Sequence, residues 1–537
     1  MSRRPNALLN RSLRSEDHVI KSLCVAVVVA AMLATPAHAG QTLDQIVTRP
    51  ELKYAIVAAE VYDLDTHRVV YAHNANTFME SASNTKLLSL GTSLALLGPD
   101  FRYTTPVYRT GSIDPSGTLH GDVVLVASGD PNLSQRIQPD GTLAFVDSDH
   151  EDGGTGTADA TAVPGDPLAV LRDLAGQVAK AGVKRIDGRV AVDASLFSDQ
   201  GVGPWSTLLS PIVVNDNIVD LTVKAGAKPG DPASISVSPQ TPYVTIVSKM
   251  MTCAPGCEYV SSSSDVRNAD GSRTVTLTGT IPAGYSVLDN YPVPEPVVFA
   301  TMGFMTALKD AGVDVDTVTN AAPFSHDAAA QFYVEANRVA VHVSPPLSED
   351  ARITLKVSQN VHAALQPVIW GVYVAHAKAG ALKAGFAEER ALLLRARLDV
   401  DAAAQQDGDG AFGFFTPDFL VDYLAWASRQ SWFPVFHRAL PILGVDGTLY
   451  DIQRNSPAKG KVFAKTGTDA EQDLLNDRLL YIKALAGYVT TRKGHHVAFA
   501  FSVNRLPVRL SIYPAKDGYH HAAELLGSMA TVAYLNY

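Results

Sequence analysis

An α+β fold, built from antiparallel strands flanked by helices and interrupted by a large β-rich insertion, is what the sequence predicts. Three observations carry it. Helical and strand-like patterns recur together at both ends of the 537-residue chain, the middle is dominated by short β-like runs between turn residues, and a composition of 46% hydrophobic and 18% charged residues supplies ample material for a buried core.

The first 39 residues read differently from the rest. Arg3, Arg4, Arg11, Arg14 and Lys21 precede the apolar run "SLCVAVVVAAMLA", and "TPAHAG" ends it with an Ala-x-Ala site at Ala37 and Ala39. This pattern predicts a secretory signal peptide over residues 1–39, cut before Gly40. An uncleaved anchor is the alternative, but the run is shorter than the roughly 20 residues that span a bilayer. No later stretch approaches that length, so the expectation is an exported protein of the periplasm or cell-wall space, soluble or loosely membrane-associated.

After Gly40, "YAIVAAEVYDLDTHRVVYAHNANTFME" alternates around the turn "DLDTHR" and predicts a β-hairpin. A helix follows from near Ser83, with Leu87, Leu88, Leu90, Leu94 and Leu97 on a broad apolar face and "GPD" as its stop. From 103 to 340 come the runs "DVVLVAS", "RVAVDAS", "NIVDLTVKAG" and "TVTLTGTI". Two segments there, "DPLAVLRDLAGQVAKAGVKRIDG" and "EPVVFATMGFMTALKDAGVDVDT", share a helix, "AGV", strand order that suggests two similar units. Residues 147–167, acidic and glycine-rich, are expected to form a mobile loop, because their oxygen ligands do not match the spacing of a calcium loop. Long helical patterns return after about 345, then the strand-like runs "LLYIKALAGYVTT" and "HHVAFAFSVN", and a terminal helix from about Gly518. The division expected is 40–102 with 341–537 as one discontinuous domain, and 103–340 as an inserted region of two domains.

The formal net charge of −10 becomes more negative without residues 1–39, which carry five basic and two acidic residues. So acidic a chain is a poor partner for nucleic acid. Cys24 lies in the leader, leaving Cys253 and Cys257 in "CAPGC". No further ligands stand at zinc-site spacing, so a local disulfide across the Pro-Gly turn is expected, with a structural role.

The chemistry centres on "SASNTKLLSL", residues 81–90. A serine hydroxyl needs a base within hydrogen-bond reach to become a nucleophile. Ser83 and Lys86 stand at i and i+3, on one face of a helix, and a lysine poor in solvent beside other cations can be neutral enough to take the proton. Ser-x-x-Lys alone is cheap, since it recurs at Ser456–Lys459 among Pro and Gly with no helical pattern behind it. Context separates the copies: "SQN", Ser358 to Asn360, follows a helical segment, and "KTGT", Lys465 to Thr468, precedes a strand-like run. Ser-x-Asn also recurs at Ser502–Asn504, but after Lys-Thr-Gly and inside a strand.

Ser-x-x-Lys, Ser-x-Asn and Lys-Thr-Gly in that chain order form the motif set of serine penicillin-recognising enzymes. With its wide gap between Ser83 and Ser358, the chain resembles the class C penicillin-binding proteins, the serine D-Ala-D-Ala carboxypeptidases and endopeptidases. "SGDPNL" at 128–133, "WSTLLSPIVVNDN" at 205–217 and "LPILGVDGTL" at 440–449 add to the resemblance. It implies a penicillin-binding-protein/β-lactamase-like transpeptidase domain around the insertion.

The resemblance further implies that Ser83 attacks the peptide carbonyl, that Lys86 accepts its proton, and that Ser358 relays a proton to the leaving amine. Asn360 would hold Lys86 or the substrate, Lys465 would add positive potential, and Thr466 and Thr468 beside Gly467 would bind the substrate carboxylate. The N–H groups of Ser83 and Thr468 would form the oxyanion hole. The partners implied are peptidoglycan stem peptides, with β-lactams as covalent inhibitors; no metal or organic cofactor is implied, and the sequence neither requires nor forbids a homodimer. The chain departs from the family in "DGDGAF" at 407–412, where Asp409 replaces the usual Ser, and lacks the glutamate often found shortly after Ser-x-Asn. Two other readings compete: an idle penicillin sensor or peptidoglycan scaffold, and a β-lactamase or esterase on the same fold. Intact Ser83, Lys86, Ser358 and Lys465 argue against idleness.

Overall fold

The computed structural model describes residues 41–153, 160–198, 200–202, 207–315, 324–377, 379–509 and 515–537. The leader expected over 1–39 lies outside them, as do Trp205 and Ser206 of the "WSTLL" stretch. Among the described residues, no helix is long and apolar enough to cross a membrane.

Both ends of the chain build one five-stranded antiparallel sheet. Its strands are β1 (Ile56–Asp63), β2 (Arg68–His73), β3 (Val462–Asp473), β4 (Arg478–Thr490) and β5 (His496–Arg509), in the order β2-β1-β5-β4-β3. The β1–β2 pair is the hairpin expected around "DLDTHR", and β3, carrying "KTGT", is an edge. Antiparallel strands that alternate apolar side chains to both faces need covers on both. On one face the terminal helix, Ala515–Asn536, buries Ala522, Leu526, Met529 and Ala533 against Val497, Phe499, Phe501 and Val503 of β5. On the other, helices Thr85–Leu96, Pro417–Ala427 and Phe433–Ala439 pack against Ala486, Tyr488, Ala498 and Ala500.

Helix α1 (Thr85–Leu96) begins two residues after Ser83 and ends before Gly98, whose φ of +85° reverses the chain at no steric cost. Leu87, Leu88, Leu90 and Leu94 are all buried, each worth about 1.5–3 kcal/mol relative to exposure. That burial pins the helix start. The "SPAK" copy, by contrast, lies in consecutive turns, with Ser456 Oγ bonded to Thr531 Oγ1 at 2.8 Å. Asn504 of the other decoy clasps the main chain of Glu80, donating to its carbonyl at 3.0 Å and accepting from its N–H at 2.9 Å.

The chain leaves this assembly through strand Thr104–Arg109 and returns through Arg338–Val343, which pair antiparallel. Between them lie several small sheets around their own buried cluster, including Val123, Leu125, Leu171, Leu174, Phe299 and Phe304. The two similar segments form helices Ala169–Lys180 and Pro296–Asp310, each followed by a short strand, Arg185–Ile186 and Asp314–Val315, and these two strands pair in parallel. Cys253 and Cys257 are joined as a disulfide at the end of strand Val244–Cys253.

Candidate active site

Ser83 sits in a single 3₁₀ turn, Ala82–Asn84, immediately before α1. Ala82 holds φ +44°, a left-handed conformation that costs a residue with a Cβ of order 1–3 kcal/mol and persists only where the surroundings impose it. Those surroundings are visible. Ser81 N–H donates to Gly413 O at 2.9 Å, Thr85 Oγ1 donates to Ala82 O at 2.9 Å, and Ser81 Oγ donates to Met79 O at 3.2 Å.

Lys86, fully buried, brings the first two motifs together. Its Nζ lies 2.8 Å from Ser83 Oγ, 2.8 Å from Ser358 O and 3.2 Å from Ser358 Oγ, and it also donates to Asn360 Oδ1. Ser358 holds φ +64° at the break between helix Leu347–Lys356 and helix α2 (Asn360–Tyr373), which turns its carbonyl and hydroxyl toward Lys86. The third motif arrives from the sheet edge. Lys465, also fully buried, donates to Ser358 Oγ at 2.9 Å and to Thr466 O at 2.8 Å. Gly467 permits this approach: a Cβ there would stand 2.2 Å from the carbonyl oxygen of Ser81, two residues before Ser83. Thr466 Oγ1 bonds Thr448 Oγ1 at 2.8 Å, and Thr468 Oγ1 accepts from Lys483 Nζ at 2.7 Å.

Burial pushes the Lys86 ammonium below its ordinary pKa, opposed by the fields of Asp409, Glu151, Asp152 and Asp407. Lys465 is pushed well down by burial and by the cations of Lys86 and Lys483. Desolvation without a tight carboxylate partner is what lets a lysine act as a base.

Several residues at the site had no assigned role in the sequence. The acidic segment expected to be a mobile loop is instead packed inward at its start: Glu151 accepts the backbone N–H of Asn360 at 2.9 Å. Asp409 is buried within a turn fixed by Asp407, whose carboxylate accepts from the N–H groups of Gly410 and Phe412. A Cβ on Gly410 would meet Ala82 O at 2.1 Å, so this turn lies directly against the 3₁₀ turn that holds Ser83. Burial and the Asp407 charge push the Asp409 carboxyl up to about 7, against the pull of Lys86.

A buried ionic cluster supports the Ser-x-Asn segment from behind. Asp216 accepts from Arg136 Nη2 at 2.8 Å, and it meets His150 Nε2 at 2.8 Å and His362 Nε2 at 3.0 Å, two residues beyond Asn360. Asp149 bonds Arg136, Asp220 bonds His150, and Asp350 bonds His362 at 2.7 Å. Asn215, Asp216 and Asn217 all have φ between +48° and +55°, a left-handed turn that aims Asp216 into the cluster. These contacts outweigh burial and raise both histidines to about 10, so each is a cation at neutral pH. Arg136 and His150 already fill the space among Asp149 and Asp216 as cations. The stretch "WSTLLSPIVVNDN" counts toward the resemblance, but nothing in it gives this turn or its contacts.

The D-Ala-D-Ala carboxypeptidase 3 (S13) family matches residues 39–517. The chain is 26% identical to a D-alanyl-D-alanine carboxypeptidase of Actinomadura sp. (strain R39) over 486 residues, 86% of this chain and 80% of that one. It is 22% identical to the D-alanyl-D-alanine carboxypeptidase DacB of Haemophilus influenzae over 463 residues, 82% of this chain and 84% of the other. In fold it resembles the crystal structure of penicillin binding protein 4 (dacB) from Haemophilus influenzae, with a TM-score of 0.67 at 18% identity, covering 92% and 98% of the two chains. The match over residues 39–517 places the chain in the S13 family of D-Ala-D-Ala carboxypeptidases.

Proposed function

We propose that this chain is an exported serine D-Ala-D-Ala carboxypeptidase and endopeptidase acting on peptidoglycan stem peptides, acylated and inhibited by β-lactams. The observation that carries the reading is the meeting of Ser83, Ser358 and Asn360 on the buried Lys86 amine, with Lys465 on the same Ser358 hydroxyl.

In this reading Lys86, as the free amine, takes the proton of Ser83 Oγ as that oxygen attacks the carbonyl of the scissile bond. The N–H groups of Ser83 and Thr468 stabilise the oxyanion, donors whose individual loss typically costs about 100- to 1000-fold in rate. Collapse breaks the C–N bond, and the proton passes through Ser358, between the two lysines, to the leaving amine. Water then hydrolyses the acyl-serine. Thr466 and Thr468 face the substrate carboxylate, and residues 1–39 direct the chain to the periplasm or cell-wall space. The division into a discontinuous catalytic domain, 40–102 with 341–537, and an inserted accessory region belongs to the same proposal. It is supported by the adjacent antiparallel strands through which the chain leaves and returns.

The test is an assay of the purified mature chain on defined monomeric and cross-linked muropeptides. Release of D-Ala, or of monomers from cross-linked material, is expected; release of neither contradicts the proposal.

A further inference from the structure

A lysine on the strand beside "KTGT" has no place in the chemistry above. Lys483 of β4 stands directly opposite Thr468 in the β3–β4 ladder, so the two side chains share a face, and Thr466, two residues along, lies on it too. Lys483 is 2% exposed. Its ammonium donates to Thr468 Oγ1 at 2.7 Å and stands 3.6 Å from the ring centroid of Tyr519 on the terminal helix. With Thr448, Thr466 and Tyr519 it lines a small cleft whose floor includes Leu449 and Leu485.

A buried ammonium held by a hydroxyl and a ring face keeps donor capacity for an anion. We propose that Lys483 is a substrate-binding residue that recognises the terminal carboxylate of the substrate, together with the hydroxyls of Thr466 and Thr468. This rests on the peptidase reading and deepens it: a cation here favours peptides ending in a free α-carboxylate over those whose end is neutral. Burial lowers the Lys483 ammonium to about 7, so its charge depends on the ambient pH. The Tyr519 ring lies against it, and the charges nearby are Asp451, which meets His520; Asp152, whose field reaches Tyr519 and Lys465; and Lys465 itself, on the other face of β3. Apart from Asp451 none opposes the loss of its proton strongly, so carboxylate recognition should fade as the pH rises through about 7.

The experiment compares two thiolester substrates with the same acyl-D-Ala moiety, one releasing thioglycolate and the other the uncharged thioglycolamide. The ratio of their kcat/KM values cancels the titration of Lys86, which both share. Expected is a wild-type preference for the carboxylate substrate that declines between pH 6 and 9. Lys483→Met and Lys483→Gln should each lower that preference roughly 10-fold or more and flatten its pH dependence, consistent with loss of a charge-assisted hydrogen bond. Two variants of different polarity, each checked for a cooperative thermal transition, guard against misfolding. A preference unchanged in both variants overturns the inference while leaving the peptidase reading intact. A wild type that hydrolyses neither thiolester overturns that reading and the inference with it.

Discussion

Lys86 and Lys465 direct their side-chain nitrogens at one hydroxyl: Ser358 Oγ lies 3.2 Å from the first and 2.9 Å from the second. Burial pushes both lysines below their ordinary range, and for Lys465 the nearby charge of Lys86 adds to the effect. In the proposed mechanism Ser358 relays the proton between these two amines, and the acidic residues around Lys86 set the pH at which its amine is free.

Among those acidic residues, Asp409 exerts the strongest field favouring the Lys86 ammonium. Replacing it by Ser removes a charge that stabilises the protonated form, so the Lys86 pKa falls and the free amine exists at lower pH. The acid limb of penicillin acylation in Asp409→Ser is expected to move down by about one pH unit. Because Asp409 itself ionises at about 7, the difference should be largest above that pH. A stopped-flow acylation profile reads it directly; an unmoved limb, or one moved upward, contradicts the assignment.

Gly467 is expected to tolerate no side chain. In Gly467→Ala the new Cβ would stand 2.2 Å from Ser81 O, so β3 must move away from the turn that holds Ser83. Thr468, whose N–H serves the oxyanion in the proposed mechanism, moves with it. Acylation should slow roughly 100-fold or more, with a destabilisation of about 1–3 kcal/mol from the overpacked contact. A variant that acylates at the wild-type rate would show that the close approach is dispensable.

Asp216→Ala would leave Arg136, His150 and His362 without their shared counter-charge in a buried cluster. A loss of about 3–5 kcal/mol is expected in denaturant unfolding, since an uncompensated buried charge is the dominant penalty. The pH dependence has a definite sign. Both histidines have folded pKa values raised to about 10 from an unfolded value near 6.5, so their contribution is full below about 6.5 and is lost as the pH rises toward 10. The wild type should therefore lose stability over that window more steeply than Asp216→Ala.

How far these features are legible in the sequence depends on the range of the interaction that creates them. The antiparallel sheet follows from alternation and turn residues, which are local. The proximity of Ser83 to Lys86 follows from helical spacing, and the choice of "SQN" over Ser502–Asn504 from chain order. Glu151 is different: acidic, glycine-rich surroundings read as a solvated loop, and only long-range packing brings its carboxylate to the Asn360 N–H. Asp216 is hidden likewise, because a left-handed Asn-Asp-Asn turn has a visible composition but no visible target. Lys483 leaves one trace, a single cation in the apolar run "LLYIKALAGYV", and its task appears only when β3 sets Thr468 opposite it.

The central claim is that Ser83 is the residue acylated. Intact mass of the mature protein, followed over time after a pulse of fluorescent penicillin, tests it most directly. The wild type should gain the mass of one penicilloyl group and keep it over the time course, and Ser83→Ala should gain none. Equal labelling of the two proteins, or no labelling of the wild type, would contradict the account; a label gained and rapidly lost would mark a β-lactamase instead.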